Sequence, residues 1–444
     1  MAGLLGALDG DPAVDRCVND AALAKALLDV EVALARAVAE VGLVPARAAA
    51  AVATAAGRLD VDVDDIGARA TAAGNPVVPL VEDLVAAVPD DARGAVHYGA
   101  TSQDVLDTAF QLVARRALDP LIGHLRRAGD AAGALADAHR DTMMVARTLG
   151  QPALPSTFGL RAASWLAGLD EATSWLARVR AGGLAVQLGG AAGTLAGYGT
   201  RGPDVVRSLA AGLGLADPGL PWHTDRSRIH ELGVALGSAV AACGKVATDV
   251  IWLSQPELGE VAEGAPGGSS ALPHKRNPVT SVLVVAAARR VPGLVATLLA
   301  SGMHEQERAT GSWHAEWATQ RDLLRLAGGA ASRAADVLDG LRIEPDAMRR
   351  NLDVAGPAVM SEALARRLTP VLGRVEAQRA VRDALLGGPS GSDALVALLR
   401  ADPKVAEAVT ADELGALLDP AGYTGAAGAL IDRALGGHSE DEDT

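Results

Sequence analysis

Proline is absent from residues 156–202, 222–255 and 293–344, whereas four prolines (Pro256, Pro266, Pro273 and Pro278) crowd into 256–278. Proline breaks helix interiors, so its absence over stretches this long permits rods of thirty residues or more. The second stretch carries Ile229, Leu232, Leu236, Ala239, Cys243, Val246, Val250 and Leu253 at alternating steps of three and four. Leu121, Leu125, Ala128, Ala132 and Leu135 repeat that rhythm. Such a seam belongs to a helix packed in a bundle. No segment shows sustained period-two alternation with hairpin turns, so strands are not expected. Hydrophobic residues make up 49% of the chain but aromatics only 2%, which leaves a core of Ala, Leu, Val and Gly that lets helices approach closely.

The pattern predicts an all-α fold of three helical domains around a central long-helix bundle. Residues 1–106 form an N-terminal helical domain, broken at Pro45, at Asn75 to Pro79 and at Pro89. Residues 107–345 form the central bundle, with a kink or break near Pro120. Residues 346–444 form a C-terminal helical domain that ends in an acidic, disordered tail from Ser439 to Thr444. The formal charge of −14 argues against a nucleic-acid partner. Cys17 and Cys243 lie far apart without metal-ligand spacing, which fits a reducing compartment and no disulfide framework. The N-terminus lacks a basic n-region, and no segment offers about eighteen consecutive apolar residues free of charge. A cytoplasmic chain with no membrane partner is expected.

The loop at 264–278, GAPGGSSALPHKRNP, is what a bundle least needs. Its glycines and serines allow movement, its prolines restrict it, and His274, Lys275 and Arg276 make it cationic. By composition it is a lid that brings hydroxyls, N–H groups and cations to an anionic ligand, or else an ordinary surface loop. A phosphate-binding P-loop is excluded, because no GK[ST] follows the glycines and Pro273 interrupts.

GSSALPHKRNP resembles the GSSxMPxKxNP signature of the fumarase/aspartase/adenylosuccinate lyase superfamily, with Leu272 where methionine is usual. VHYGATSQDVLDTA at 96–109 and RTLGQPALPSTFG at 147–159 look like that superfamily's first and second signature regions. The resemblance implies a fumarase/aspartase-like fold and β-elimination, or its reverse, beside a carboxylate. It implies Ser269 as the proton-transfer group and Lys275 as a catalytic cation. Asn277, Thr101, Ser102, Gln103, Gln151, Arg308 and His314 are the expected substrate-binding residues. No metal and no cofactor is implied. A carbanion beside a carboxylate concentrates negative charge, so preorganised cations and N–H donors must face it.

The fumarate-releasing members carry T-H-x-Q in the second region, and this chain reads Thr148-Leu149-Gly150-Gln151. An amine leaving group needs a proton, whereas a carboxylate with a pKa of about 4 departs as an anion. The N-terminal stretch, AGNPVVPLVEDL at 73–84 and HEQERATGSWHAEW at 304–317 resemble the superfamily's cycloisomerase branch, which acts on a small tricarboxylate, 3-carboxymuconate. The alternative is a lyase acting on a substituted succinate, as adenylosuccinate lyase does; a helical structural protein that has lost activity is a third reading, against which Ser269, Lys275 and Asn277 weigh. A rod of thirty residues extends about 45 Å, so one chain cannot easily bring three signature regions together. The resemblance implies a homotetramer whose active sites are shared between subunits.

By spacing alone, His304 with Glu307 reads as a solvated helix pair. His124, His139, His223, His230 and His438 read as structural or exposed. Arg147 is balanced between a ligand contact and a salt bridge, and His97 between a bond within the first motif and the substrate.

Overall fold

The computed structural model describes residues 5–268, 271–387 and 391–442. The elements used below are α1 (Asp20–Glu40), α2 (Ser102–Ala138), β1 (Met143–Thr148), β2 (Gln151–Thr157) and α3 (Phe158–Arg178). They continue with α4 (Ser227–Leu253), β3 (Val261–Ala262), α5 (Val279–Ala300), α6 (Ser312–Asp339), β4 (Arg342–Ile343), α7 (Pro345–Ala355) and α8 (Ala427–Glu442). The expected all-α architecture is present, with only two short antiparallel strand pairs among the described residues. All eight seam positions of α4, from Ile229 to Leu253, are buried. Leu121, Leu125, Ala128 and Ala132 on α2 are fully buried as well.

The chain packs as two compact units. One gathers Met1–Arg126, Glu171–Gly244 and Leu283–Arg333; the other gathers Arg127–Asp170, Lys245–Val282 and Ala334–Thr444. Helices α2 to α6 each contribute residues to both.

In the first unit, small residues do what the composition predicts. A Cβ added at Gly233 of α4 would come within 2.6 Å of Leu298 on α5, so glycine sets how near these helices lie. Helix α2 starts at Ser102, ahead of the domain boundary expected at 107, and runs unbroken through Pro120. Of the kink or break expected there, the break does not occur. Neighbouring Leu118 and Leu121 are wholly buried, and their packing outweighs one missing N–H.

In the second unit, the hairpin β1–β2 is the feature that periodicity missed. Leu149 (φ 52) and Gly150 (φ 80) both adopt left-handed backbone between the paired residues Thr148 and Gln151. That is the two-residue turn whose twist matches paired strands. A register shift between Val145 and Arg147 interrupts the alternation that would have betrayed it. Val145 and Met143 pack the hairpin into an apolar cluster with Leu352, Val359, Leu364 and Leu368.

The end of the chain is helical to Glu442, not disordered from Ser439 as the sequence suggested. Helix α8 lies close over α2, where a Cβ on Gly129 would meet the His438 ring at 3.1 Å. His438 stands between Asp170 and Asp130, at 3.0 Å from each. Burial draws its imidazolium down, but the charges and hydrogen bonds of Asp170 and Asp130 outweigh that and hold its pKa above the ordinary value.

α4 and α5 are also long and apolar enough to cross a membrane by length and composition, although charged residues interrupt both. Half of the most apolar stretch of α4 is buried within the fold, but only 22% of that of α5.

Because His438 has a folded-state pKa above its unfolded value of about 6.5, the stability it confers is complete below that pH. It is lost as pH rises through the higher folded value. His438→Gln is therefore expected to lower the thermal midpoint by a few degrees at pH 6 and by much less at pH 9, as read by differential scanning calorimetry.

Candidate active site

In the first unit, the start of α2 carries the first signature region. Thr101 stands just before the helix, and its N–H donates to Asp104 Oδ2 at 3.0 Å, half of a capping box. Asp104 is buried and also accepts from the N–H groups of Gly189 and Gly190, both at 2.9 Å. His223 Nε2 lies 2.6 Å from its Oδ1. One carboxylate thus ties the signature turn to the glycine turn at 189–190 and to a histidine 119 residues away.

One helical turn on, Asp107 receives two bonds from Arg226, at 2.8 and 3.1 Å, one from the Trp313 indole at 2.9 Å, and one from Gln103 at 3.2 Å. Arg226 is wholly buried and also binds Glu316, its Nη2 lying 2.5 Å from Oε2. Its guanidinium carbon sits 4.9 Å from the centre of the Trp222 ring. Burial pushes the Asp107 carboxyl up, but the charge and hydrogen bonds of Arg226 hold it below the usual carboxylate range. Burial pulls the arginine down, and Asp107 and Glu316 more than restore it, so its pKa is raised. His304 is not part of a solvated helix pair: its ring lies between the His223 carbonyl and Glu316 Oε1, each at 3.2 Å.

Gln103, expected to touch substrate, is buried in this framework. Its amide donates to Asp107 and to the His223 carbonyl, and its oxygen accepts from Arg308 at 3.1 Å. It orients Arg308. The other partners of Arg308 are the carbonyls of Ala191 (2.9 Å) and Gly190 (3.4 Å). Among the described residues no carboxylate pairs with this guanidinium, so its charge is held in place and left uncompensated, as an anion site requires. Thr101 and Ser102, which precede Gln103 in sequence, are half-buried on the helix N-terminus, where free N–H groups favour a carboxylate. His314 is exposed and gives one ring nitrogen to the Gly74 carbonyl at 3.0 Å.

In the second unit, Arg147 is a structural ion pair. It binds Glu260 through two bonds of 2.9 and 2.7 Å, and Asn351 supports the same carboxylate at 2.8 Å. Gln151 stands exposed at the start of β2, and Leu149 is fully exposed at the turn beside it. The signature loop is closed at its base by paired N–H···O bonds between Gly267 and Asn277, of 2.9 and 2.8 Å. Buried Glu263, just before the loop, accepts from the Ser281 hydroxyl and N–H and from the Thr280 N–H, capping α5, which follows it. Lys275 and Arg276 are exposed and, with Asn277, Glu344 and Arg350, line a cavity of about 710 Å³. Ser269 lies outside the described residues. Among the described residues no cluster of His, Cys, Asp and Glu is arranged to hold a metal ion.

Asp104, Asp107, His223, Arg226, His304 and Glu316 were not picked out as site-building residues from the sequence. The spacing of Asp104 and Asp107, three apart on one helical face, was the available signal. Their partners carried none.

An all-helical fold with a cationic, glycine-rich loop is what the resemblance to fumarase/aspartase-like enzymes led one to expect. The chain belongs to the lyase family, whose model matches residues 13–293; a second model, adenylosuccinate lyase C-terminus, matches 357–434. It is 44% identical to a nitrosuccinate lyase of Streptomyces davaonensis, over 98% of this chain and 94% of that protein. It is 40% identical to a 3-carboxy-cis,cis-muconate cycloisomerase of Bradyrhizobium diazoefficiens, over 98% of each. The crystal structure of the 3-carboxy-cis,cis-muconate lactonizing enzyme of Pseudomonas putida superposes with a TM-score of 0.87 at 38% identity, covering 99% of each chain.

Arg226→Ala would leave Asp107 and Glu316 buried without their cation. We expect a loss of about 3–5 kcal/mol of unfolding free energy, measured by urea denaturation.

Proposed function

We propose that this chain is a cycloisomerase that converts 3-carboxy-cis,cis-muconate to 4-carboxymuconolactone. A substrate carboxylate adds to the conjugated C=C bond, and the carbanion formed beside a second carboxylate takes up a proton. Against an amine-releasing lyase, the observation that carries this reading is the second signature turn, where exposed Leu149 stands in place of a proton-donating histidine. A reaction whose leaving group, in reverse, is a carboxylate has no need of that proton. The likeness to proteins bearing the cycloisomerase and lactonizing names supports it further.

In this reading Ser269 donates the proton in the lactonising direction and removes it in reverse. Lys275 and Asn277 stabilise the charge that develops, and the loop closes over substrate to exclude water. Arg308, Thr101, Ser102, Gln151 and His314 bind carboxylates, with Gln103 setting the direction of Arg308. Three substrate carboxylates account for so many cations in the signature regions of an acidic protein. No metal or organic cofactor enters the scheme.

The working form is a cytoplasmic homotetramer with active sites shared between subunits. What supports it is α5, apolar yet largely uncovered, with Val279, Val282 and Leu299 exposed, and Trp252 exposed on α4.

A second reading is favoured by the 44% identity to a nitrosuccinate lyase. Nitrite, like a carboxylate, leaves as a stable anion, so Leu149 suits that elimination equally. It does not suit adenylosuccinate, whose leaving group is an amine. Spectrophotometric assays with 3-carboxymuconate, nitrosuccinate and adenylosuccinate separate the three. Turnover confined to nitrosuccinate would replace the first reading by the second.

Ser269→Ala and Lys275→Ala are each expected to lower turnover by at least about 100-fold with the fold intact by circular dichroism. Near-normal turnover of either variant would remove that residue from the mechanism. Mixed tetramers of Ser269→Ala with a Gln151 variant should regain part of the activity each lacks alone. A fully active monomer by light scattering would refute the shared site.

A further inference from the structure

His97 holds a left-handed backbone, φ 52, which residues other than glycine adopt at a cost. What holds it there is Glu31, wholly buried on α1. One carboxylate oxygen accepts the His97 N–H at 3.0 Å, and the other lies 2.7 Å from its Nδ1. With main chain and ring fixed by the same carboxylate, the imidazole has no freedom to turn away. Its ring is 22% exposed, and among the described residues Nε2 makes no hydrogen bond. The strained turn leads directly into Thr101 and the start of α2, whose Asp104 organises the Gly190 turn that carries Arg308.

We infer that His97 is a further ligand for a substrate carboxylate: a ring seated on Glu31 that, when protonated, presents Nε2–H beside the first signature turn. The inference rests on the reading of the substrate as a polycarboxylate, and adds to Arg308 a second cation at that end of the site. Its electrostatics agree. Burial lowers the His97 pKa, but the hydrogen bond and charge of Glu31, with Asp104 behind, outweigh it and raise the pKa above the ordinary value. The groups that face it are Glu31 from α1 and Asp104 from α2. Tyr198 nearby, its hydroxyl on the Tyr98 carbonyl at 2.7 Å, is itself pushed up by burial and by Asp104 and Glu31, so it stays neutral. The shift favours the protonated ring, which loses its proton as pH rises through the raised value.

Asparagine tolerates the left-handed region and has no charge to offer, so His97→Asn tests charge without disturbing the turn. The probe is tricarballylate, a stable tricarboxylate, with affinity measured by calorimetry at pH 6.5 and pH 9.5. Wild type should bind about tenfold more tightly than the variant at pH 6.5, the scale of one charged hydrogen bond, and the gap should close by pH 9.5. Equal affinities at pH 6.5, a gap unchanged at pH 9.5, or no binding by wild type would each overturn the inference. If the variant fails to fold, ring NMR of wild-type His97 decides: bound tricarballylate must raise its titration midpoint, and an unmoved midpoint is a refutation. Turnover of 3-carboxymuconate by wild type is scored separately, so failure of the proposed reaction is distinguishable from failure of this ligand.

Discussion

Arg226, wholly buried between Asp107 and Glu316, is the contact on which the first signature region depends. Two carboxylates and one guanidinium are costly to remove from water, and they are tolerable here because each is hydrogen-bonded several times over. The Trp313 indole, the Gln103 amide and His304 fill the remaining positions around them. Such a network contributes less to stability than an apolar core of equal volume would. What it confers is direction: Gln103 is fixed by Asp107 and in turn fixes Arg308. A cation held rigidly is the feature that transition-state charge stabilisation needs, because no reorganisation remains to be done when charge develops.

Asp104 and Glu31 extend the same arrangement. Each buried carboxylate accepts backbone N–H bonding and lies against a histidine ring, and each constrains a turn: Asp104 the Thr101 and Gly190 turns, Glu31 the left-handed turn at His97. Strain at such turns is stored only where surrounding bonds over-determine the backbone. The second unit uses a related device, with Glu260 fixing the hairpin through Arg147 and Glu263 tying the root of the signature loop to the start of α5. Between these anchors, residues Ala271 to Arg276 are exposed.

The exposed apolar faces balance this account. A helix as apolar as α5 with little of it covered is uneconomical in a monomer. Burial against further copies of the chain, in the tetramer proposed above, would cover that face.

The helical class, the seams of α2 and α4, the cationic loop at 264–278 and its likeness to a family signature were legible in the sequence. Each is written in local spacing, where a helix, a turn or a motif declares itself within a few residues. The hairpin at 143–157 was not legible, because a register shift hides its alternation and its turn has a leucine at the first left-handed position. Nor were the roles of Arg226, His223, His304 and Glu31. Asp107 meets Arg226 across 119 residues and Arg226 meets Glu316 across 90. Which charges pair inside a fold is decided by where rods cross, and no local spacing encodes that. For the same reason the sequence could name Arg308 and Gln103 alike as substrate-binding residues and leave Arg147 balanced between a ligand contact and a salt bridge, while the tertiary structure separated them. Arg147 is locked to Glu260 and Gln103 is buried as a support, whereas Arg308 stands with its charge unpaired among the described residues.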